Sequence, residues 1–384
     1  MNAGSAPRQG TRDLRIDWLR GLAMTCVIID HSQRSSLLSW FSFERFWLVT
    51  AAEVFVVLSG VVLGMVYGPR IARDGWLAVS RRLGRRALTL YAACVAVSVS
   101  VIALSFAGVD VSSVSAWDAG ALSWFLDPRT MTIAEWRDLL LIRYSPWAVE
   151  IIGLYVWLVV AAVPCLIALR AGRWRLLLAV SWALYIWYRV APRQLTAAEF
   201  EVVFPILAWQ LLFVHGIAIG YHRDAIAALV KRYRALPLAV AGVSAAAFTL
   251  VAFCNPFTGG PEWLRLGLIS PETFTSMYER YFAFSDLGIG RLLNLAVALP
   301  VGYALLSWRW GLAARLRPLF VTLGQGSLGA FVLHVYGLLL LSQLPDAAVW
   351  INTLIQILLV VAIALALHTM QRWRASRRLT MQAA

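Results

Sequence analysis

The chain has 384 residues, 60% of them apolar and only 14% charged, with a mean hydropathy of +0.72. That much apolar surface cannot be hidden in a water-soluble globule of this size, and the same figures exclude a disordered or fibrous chain. The net charge of +14 would point to nucleic acid in a soluble protein. Here the basic residues, all Arg except Lys231, fall into short segments between apolar runs, so membrane orientation explains them first and nucleic acid is not an expected partner.

The apolar runs are about 17–23 residues long, enough to cross a bilayer as helix, and lack the period-two alternation of a barrel. The expected fold is therefore all-α: a polytopic membrane helix bundle of about ten spans, forming one domain over 1–384. In chain order the spans are Ile16–Ser32, Phe46–Tyr67, Ala87–Ala107, Trp147–Leu169, Trp174–Val190, Val202–Gly220, Leu236–Phe253, Leu287–Leu306, Phe320–Leu341 and Val349–Leu367. An even number puts both termini on one side. That side holds the Arg of the first twenty residues, the segments Arg70–Arg86, Arg170–Arg175, Arg223–Arg234 and Arg309–Arg317, and the tail. Together these carry 24 of the 34 basic residues, which places both termini, segments 1–14 and 371–384, in the cytoplasm. The segment Met1–Asp13 is polar and Arg-bearing and does not read as a cleaved signal peptide. Cys26, Cys94, Cys165 and Cys254 lie in apolar runs without metal-ligand spacing, so neither a metal nor a disulfide framework is expected.

Two long connections, 108–146 and 254–286, fall on the opposite face. They carry Asp110, Asp118, Asp127, Glu135, Glu262, Glu272 and Glu279. The stretch Ile133–Ile142 reads as a short amphipathic helix at the interface. The aromatics Trp117, Trp124, Trp136, Trp263, Tyr278 and Tyr281 suit either stacking on sugar rings or a plain interfacial belt.

Ionisable groups within hydrocarbon cost several kcal/mol, roughly 2.5–3.5 on insertion scales, and usually face a cavity or a partner. They are Arg20, Asp30, His31, Glu53, His215 and His334, joined by polar Gln210, with Asp17, Glu150 and Asp286 near span ends. Arg20 sits at the cytoplasmic mouth of the first span. His31, eleven residues on, lies about 16 Å deeper on the same face, roughly half of a ~30 Å core. Glu53, Trp209 with Gln210, and His334 reach a similar layer from three other spans. A His31–Glu53 pair would orient and tune an imidazole as general base, although Glu53 also suits pairing with an Arg and Arg20 also suits a simple anchor. His215 reads as an interhelical hydrogen-bonder and Gly60 with Gly64 as a close helix contact. The run Arg81, Arg82, Arg85 and Arg86 suits a topogenic cluster on anionic lipid or a clamp for an anionic ligand.

Several ordered blocks resemble the OpgC family, within the wider group of membrane acyltransferases that includes acyltransferase family 3 and heparan-alpha-glucosaminide N-acetyltransferase. They are Arg15–Ala23 followed by Asp30-His31, with Arg20 and His31 separated by ten residues; Ala52–Gly60; Arg85–Tyr91; Ala208–Phe213 with Trp209-Gln210; Asp286–Leu293 with Arg291; and Gly324–Leu328 with Gln325 and Ser327, leading to His334. Where the family pattern leads one to expect Asn-Pro, this chain has Phe204-Pro205. The resemblance implies transfer of an acyl group, succinyl above all, from cytoplasmic acyl-CoA to a hydroxyl of a periplasmic or lipid-linked glycan. It implies a multi-pass protein of a bacterial inner membrane, whose partners are membrane lipid, acyl-CoA (succinyl-CoA or acetyl-CoA, a co-substrate rather than a bound cofactor) and the acceptor glycan. Oligomeric state stays open, a homodimer included. His31 would act as base, with Glu53 or Asp30 orienting it. Arg20, Arg82, Arg85, Arg86 and Tyr91 would hold the CoA nucleotide. Trp209, Gln210, Asp286, Arg291, Gln325, Ser327 and His334 would line the substrate site, with Gln210, Ser327 or His334 as oxyanion donor and Arg291 or Arg189 as cation for a dicarboxylic donor. The rivals are an O- or N-acetyltransferase of envelope glycans, a transporter or flippase, and an inactive partner subunit.

Overall fold

A computed structural model describes residues 13–115, 132–232, 235–257 and 262–383. Arg8, Arg12 and Arg234 of the charge ledger, residues 1–12 of the N-terminal segment, and the outer-loop residues Trp117, Asp118, Trp124 and Asp127 lie outside the described residues. Among those described, every regular element is a helix.

Helix α1 (Leu14–His31) begins where the Asp13 carboxylate caps the Arg15 amide at 3.0 Å. Helix α2 (Ala51–Phe106) opens on a capping box between Thr50 and Glu53. It covers the second and third expected spans, joined rather than separated by a loop. Gly75, at φ 80°, breaks it into arms over 51–74 and 76–106, so the Arg-rich segment 70–86 lies on helix. Then follow the short α3 (Ile133–Leu140), α4 (Glu150–Arg170), α5 (Trp174–Val190), α6 (Ile206–Tyr221), α7 (Ala235–Ala252), α8 (Pro271–Tyr281), α9 (Ile289–Trp308), α10 (Arg317–Gln325), α11 (Ser327–Ser342) and α12 (Val349–Ala383).

Each expected span falls on helix, but length and apolarity support fewer crossings than ten. Among the described residues, four helices are long and apolar enough: Ala51–Phe106, Trp147–Arg170, Ile289–Trp308 and Val349–Arg377. A fifth is added if the bent pair Trp310–Gln325 and Ser327–Ser342 counts as one. Helices α1 and α6 fall short for physical reasons. Helix α1 carries Arg15, Asp17, Arg20 and Asp30 in 18 residues. Helix α6 starts only after Phe204-Pro205, because Pro205 donates no backbone hydrogen bond and opens the helix from its N-cap. The expected continuous span Phe320–Leu341 is broken at Gly326, with 90° between its halves.

Two glycine contacts set the core. Gly60 and Gly64 of α2 face Gly216 and Gly220 of α6, and a methyl at any of the four would strike a backbone carbonyl of the other helix. Backbones can approach this closely only where side chains are absent, which in lipid is a main source of helix association. In the same way Gly21 of α1 rests on the Phe320 carbonyl and Gly324 of α10 on the Asp17 carbonyl. This second contact seats the helix break at Gly326 beside α1.

Candidate functional site

His31 is the last residue of α1, and the chain turns directly after it at Gln33 (φ 52°). The imidazole therefore stands at a helix end and not midway along the helix. Its Nδ1 lies 3.1 Å from Nε2 of His334 on α11. His334 is completely buried, with Nδ1 against the Phe331 carbonyl oxygen. His31 is half-buried, and the edge of Trp147 meets its ring at a centroid distance of 4.7 Å.

About three turns earlier on α1, Arg20 donates through Nη2 to the hydroxyl of Ser327 at 2.8 Å, the first residue after the break. Asp17, one turn back, lies 3.9 Å from Arg20 Nη1 and accepts from Gln325 Nε2 at 3.2 Å. The glycine contacts place these groups: with Gly324 against Asp17, the break must present Gln325 and Ser327 to the polar face of α1. Aromatic rings run from this cluster to the histidines. The Arg20 guanidinium lies 5.2 Å from the Phe55 centroid, Phe55 lies 5.6 Å from Phe331, and Phe331 lies 5.4 Å from His334. Tyr155 meets Phe55 at 5.8 Å, and the charges of both Arg20 and Arg86 reach its hydroxyl.

The structure thus brings together His31 with His334, and Arg20 with Ser327 and Gln325. Other expected site residues are engaged elsewhere. Glu53 does not orient His31: both its carboxylate oxygens lie 2.9 Å from Arg291 Nη1, and it also accepts from the Thr50 hydroxyl at 2.9 Å. The physical reason is charge. Both side chains are fully buried, and an ion in low dielectric takes the nearest counterion before a neutral ring. Arg291 spends its remaining donors on the Phe282 carbonyl (2.6 Å), the Tyr278 hydroxyl (2.8 Å) and Glu44 (3.2 Å). Gln210 is likewise saturated, accepting from the Ser181 hydroxyl at 2.7 Å and donating to the carbonyls of Ser181 and Leu207 at 2.9 and 3.0 Å. Trp209 is buried between Phe204 and Phe284 and donates to the Ser285 carbonyl. Asp286 holds Arg189 at 3.2 Å and accepts from Tyr188. Asp30 is exposed beside His31 and makes no contact with its ring nitrogens among the described residues.

On the Arg-rich arms, Arg82 pairs with Asp74, whose carboxyl is held down at about 2 by Arg73 and Arg82. Arg85 is exposed and Arg86 half-buried. Tyr91 does not join them: its hydroxyl donates to the Leu140 carbonyl at the end of α3. Sequence reasoning missed Asp17 as a partner of Gln325, the Phe55–Phe331 wall and Glu44. Asp17 carried a signal, an acid three residues before Arg20 on one helix face. Phe55 and Phe331 carried none, being ordinary residues of apolar spans.

The family model described as OpgC protein matches residues 12–377. The chain belongs to the OpgC protein family. The matched region takes in both ends of the site, from Arg20 and His31 on α1 to Ser327 and His334 on α11, in one OpgC unit. Compared with curated proteins and with solved structures, the chain matches nothing.

Proposed function

We propose that this OpgC-family protein is a membrane O-acyltransferase that moves an acyl group from cytoplasmic acyl-CoA to a hydroxyl of a periplasmic or lipid-linked glycan. It would sit in a bacterial inner membrane with ten helices crossing and both termini cytoplasmic. The observation that carries the reading is the layout of α1: the Arg20–Asp17–Ser327 cluster about three turns before a half-buried imidazole, with an aromatic wall between them. In this reading Arg20, with Arg86 and the exposed Arg85, receives the CoA phosphates, since guanidinium forks match phosphate oxygens. The pantetheine arm runs along Phe55 and Phe331, and the thioester arrives at the histidines. The acceptor hydroxyl meets His31 from the outer side, beside Trp147 and Asp30. His31 takes the hydroxyl proton as the oxygen attacks the thioester carbonyl, the C–S bond breaks, and the leaving thiolate takes a proton back from the imidazolium. Ser327 and Gln325 stand beside Arg20 and Asp17, so they belong with the donor in this scheme.

Succinyl is the donor the family resemblance favours. One observation favours the second reading, an acetyl donor: Arg291 and Arg189, the cations available for a free carboxylate, are each already paired with protein carboxylates. The test is to replace His31 by Ala, confirm membrane insertion, and weigh acyl groups on envelope glycans by mass spectrometry with wild type, variant and no gene. Loss of acylation supports the assignment; acylation at wild-type level removes His31 from the chemistry. The mass added per acyl group tells succinylation from acetylation directly, because a succinyl group carries a carboxymethyl where acetyl has a hydrogen.

A further inference from the structure

We propose that His334 is a positioning residue that fixes the tautomer of His31, leaving the His31 Nε2 lone pair as the site that receives the acceptor's proton. The inference rests on the reading of His31 as base, and it replaces the expected role of His334 as an oxyanion donor.

Three groups in line fix where the hydrogens lie. A backbone carbonyl oxygen only accepts, so His334 Nδ1, set against Phe331 O, must carry a hydrogen. A neutral imidazole has one N–H, so His334 Nε2 carries a lone pair. The contact at 3.1 Å to His31 Nδ1 is a hydrogen bond only if His31 donates, so His31 holds its hydrogen on Nδ1 and its lone pair on Nε2. His334 is fully buried, while His31 stays half-buried. His334 Nε2 cannot then donate to an oxyanion, because it has no hydrogen to give. Nothing among the described residues occupies His31 Nε2 with a hydrogen bond.

In the reaction, the acceptor O–H proton passes to His31 Nε2 while the acceptor oxygen bonds to the thioester carbon. The imidazolium keeps its Nδ1–H bond to His334 throughout. When the C–S bond breaks, the Nε2 proton passes to sulfur, giving ester and free thiol with His31 restored. The carbonyl of Phe331 and the lone pair of His334 thus do for His31 what a buried carboxylate does in a Ser-His-Asp triad, without placing a formal charge in the membrane. Among the described residues, the titratable groups next to His31 are His334 across the helix contact and Asp30 beside it on α1.

The test uses full-length protein in lipid nanodiscs, with succinyl-CoA and acetyl-CoA as donors, a glucan preparation as acceptor, and thiol release as readout. His334→Leu removes the acceptor atom, and His334→Gln restores one in its amide oxygen. Loss of tautomer control costs about 10²–10⁴-fold in kcat by analogy with triads that lose theirs. His334→Leu should fall in this range with the KM for acyl-CoA within about twofold, and its acid limb should move to lower pH because the imidazolium has lost its acceptor. His334→Gln should recover at least tenfold of the loss and return the limb toward wild type. Wild-type kcat in His334→Leu, or Leu and Gln variants equally impaired with one pH profile, overturns the proposal. If the Leu variant does not fold, ¹⁵N-histidine spectra of the wild-type protein decide: the resonance lost in His31→Ala must show the Nδ1–H tautomer, and the other tautomer refutes it. Activity surviving His31→Ala sinks the base reading itself, whereas an inactive His31→Ala beside a fully active His334→Leu sinks only the role of His334.

Discussion

Replacing Glu53 by Gln separates a structural ion pair from a catalytic carboxylate. Glu53 and Arg291 are both fully buried, and two of the guanidinium's hydrogen bonds end on this carboxylate at 2.9 Å. Removing one partner of such a pair costs roughly 3–5 kcal/mol, because the other charge is left behind in low dielectric. The amide of Glu53→Gln keeps one acceptor oxygen, and Arg291 keeps Phe282, Tyr278 and Glu44, so the loss belongs at the lower end, about 3 kcal/mol. Arg291→Met strips five hydrogen bonds at once and leaves Glu53 with Thr50 alone, which belongs at the upper end, about 5 kcal/mol. The double variant buries no unpaired charge between the two positions. Its loss should fall short of the sum of the singles by about 2 kcal/mol or more. Thermal midpoints of detergent-solubilised protein, followed by size-exclusion chromatography, read the stability; glycan acylation per folded molecule reads the chemistry. The expected outcome is lowered midpoints with turnover per folded molecule largely kept. Glu53→Gln at wild-type stability but without turnover would refute the reasoning and return Glu53 to the reaction.

Two further outcomes follow from other parts of the molecule. Gly324→Ala puts a methyl into the Asp17 carbonyl, so α10 must back away from α1 and carry Gln325 and Ser327 off Asp17 and Arg20; overpacking of this kind costs about 1–3 kcal/mol, and the KM for acyl-CoA should rise severalfold, whereas an unchanged KM would detach the helix break from donor binding. Burial raises the Glu199 carboxyl to about 7, above its ordinary 4.5, so its contribution to stability is full below about pH 4.5 and is lost as pH rises through about 7. Glu199→Gln should therefore flatten the fall in thermal midpoint between these values, and parallel wild-type and variant curves would contradict it.

Much of this was legible in the sequence, and what was not has identifiable causes. The pairing of Gly60 with Gly64 announced a close helix contact, and α6 answers it with Gly216 and Gly220. His215 was readable as an interhelical hydrogen-bonder and is one, held by Leu211 and Trp182. Helix rise put His31 and His334 in one layer, but rise is a single coordinate and says nothing of which residues meet sideways. Hence Glu53, at a similar depth, went to Arg291 and not to His31. The break at Gly326 escaped notice for a related reason. Apolarity continues through Phe320–Leu341, and hydropathy sees composition without direction, so a 90° turn leaves the profile unchanged. The Gly324-Gln325-Gly326-Ser327 run was the available signal, since glycines flanking polar residues punctuate a helix.

Depth in the membrane finds polar residues worth attention, and unspent hydrogen-bonding capacity sorts them. A guanidinium has five donors, and those of Arg291 are all taken by protein atoms. The amide of Gln210 donates twice and accepts once within the bundle, and both ring nitrogens of His215 are engaged. Such groups are expensive to bury and fully repaid by their partners, so a substrate would have to break a protein bond to use them. His31 differs in kind. One nitrogen is fixed by His334, and the other is left without a hydrogen bond among the described residues on a half-buried ring beside an exposed Asp30. That nitrogen stands at the end of a line of rings leading from Arg20. The lone pair left for a substrate proton, more than the presence of a histidine in an apolar helix, is what points to chemistry there.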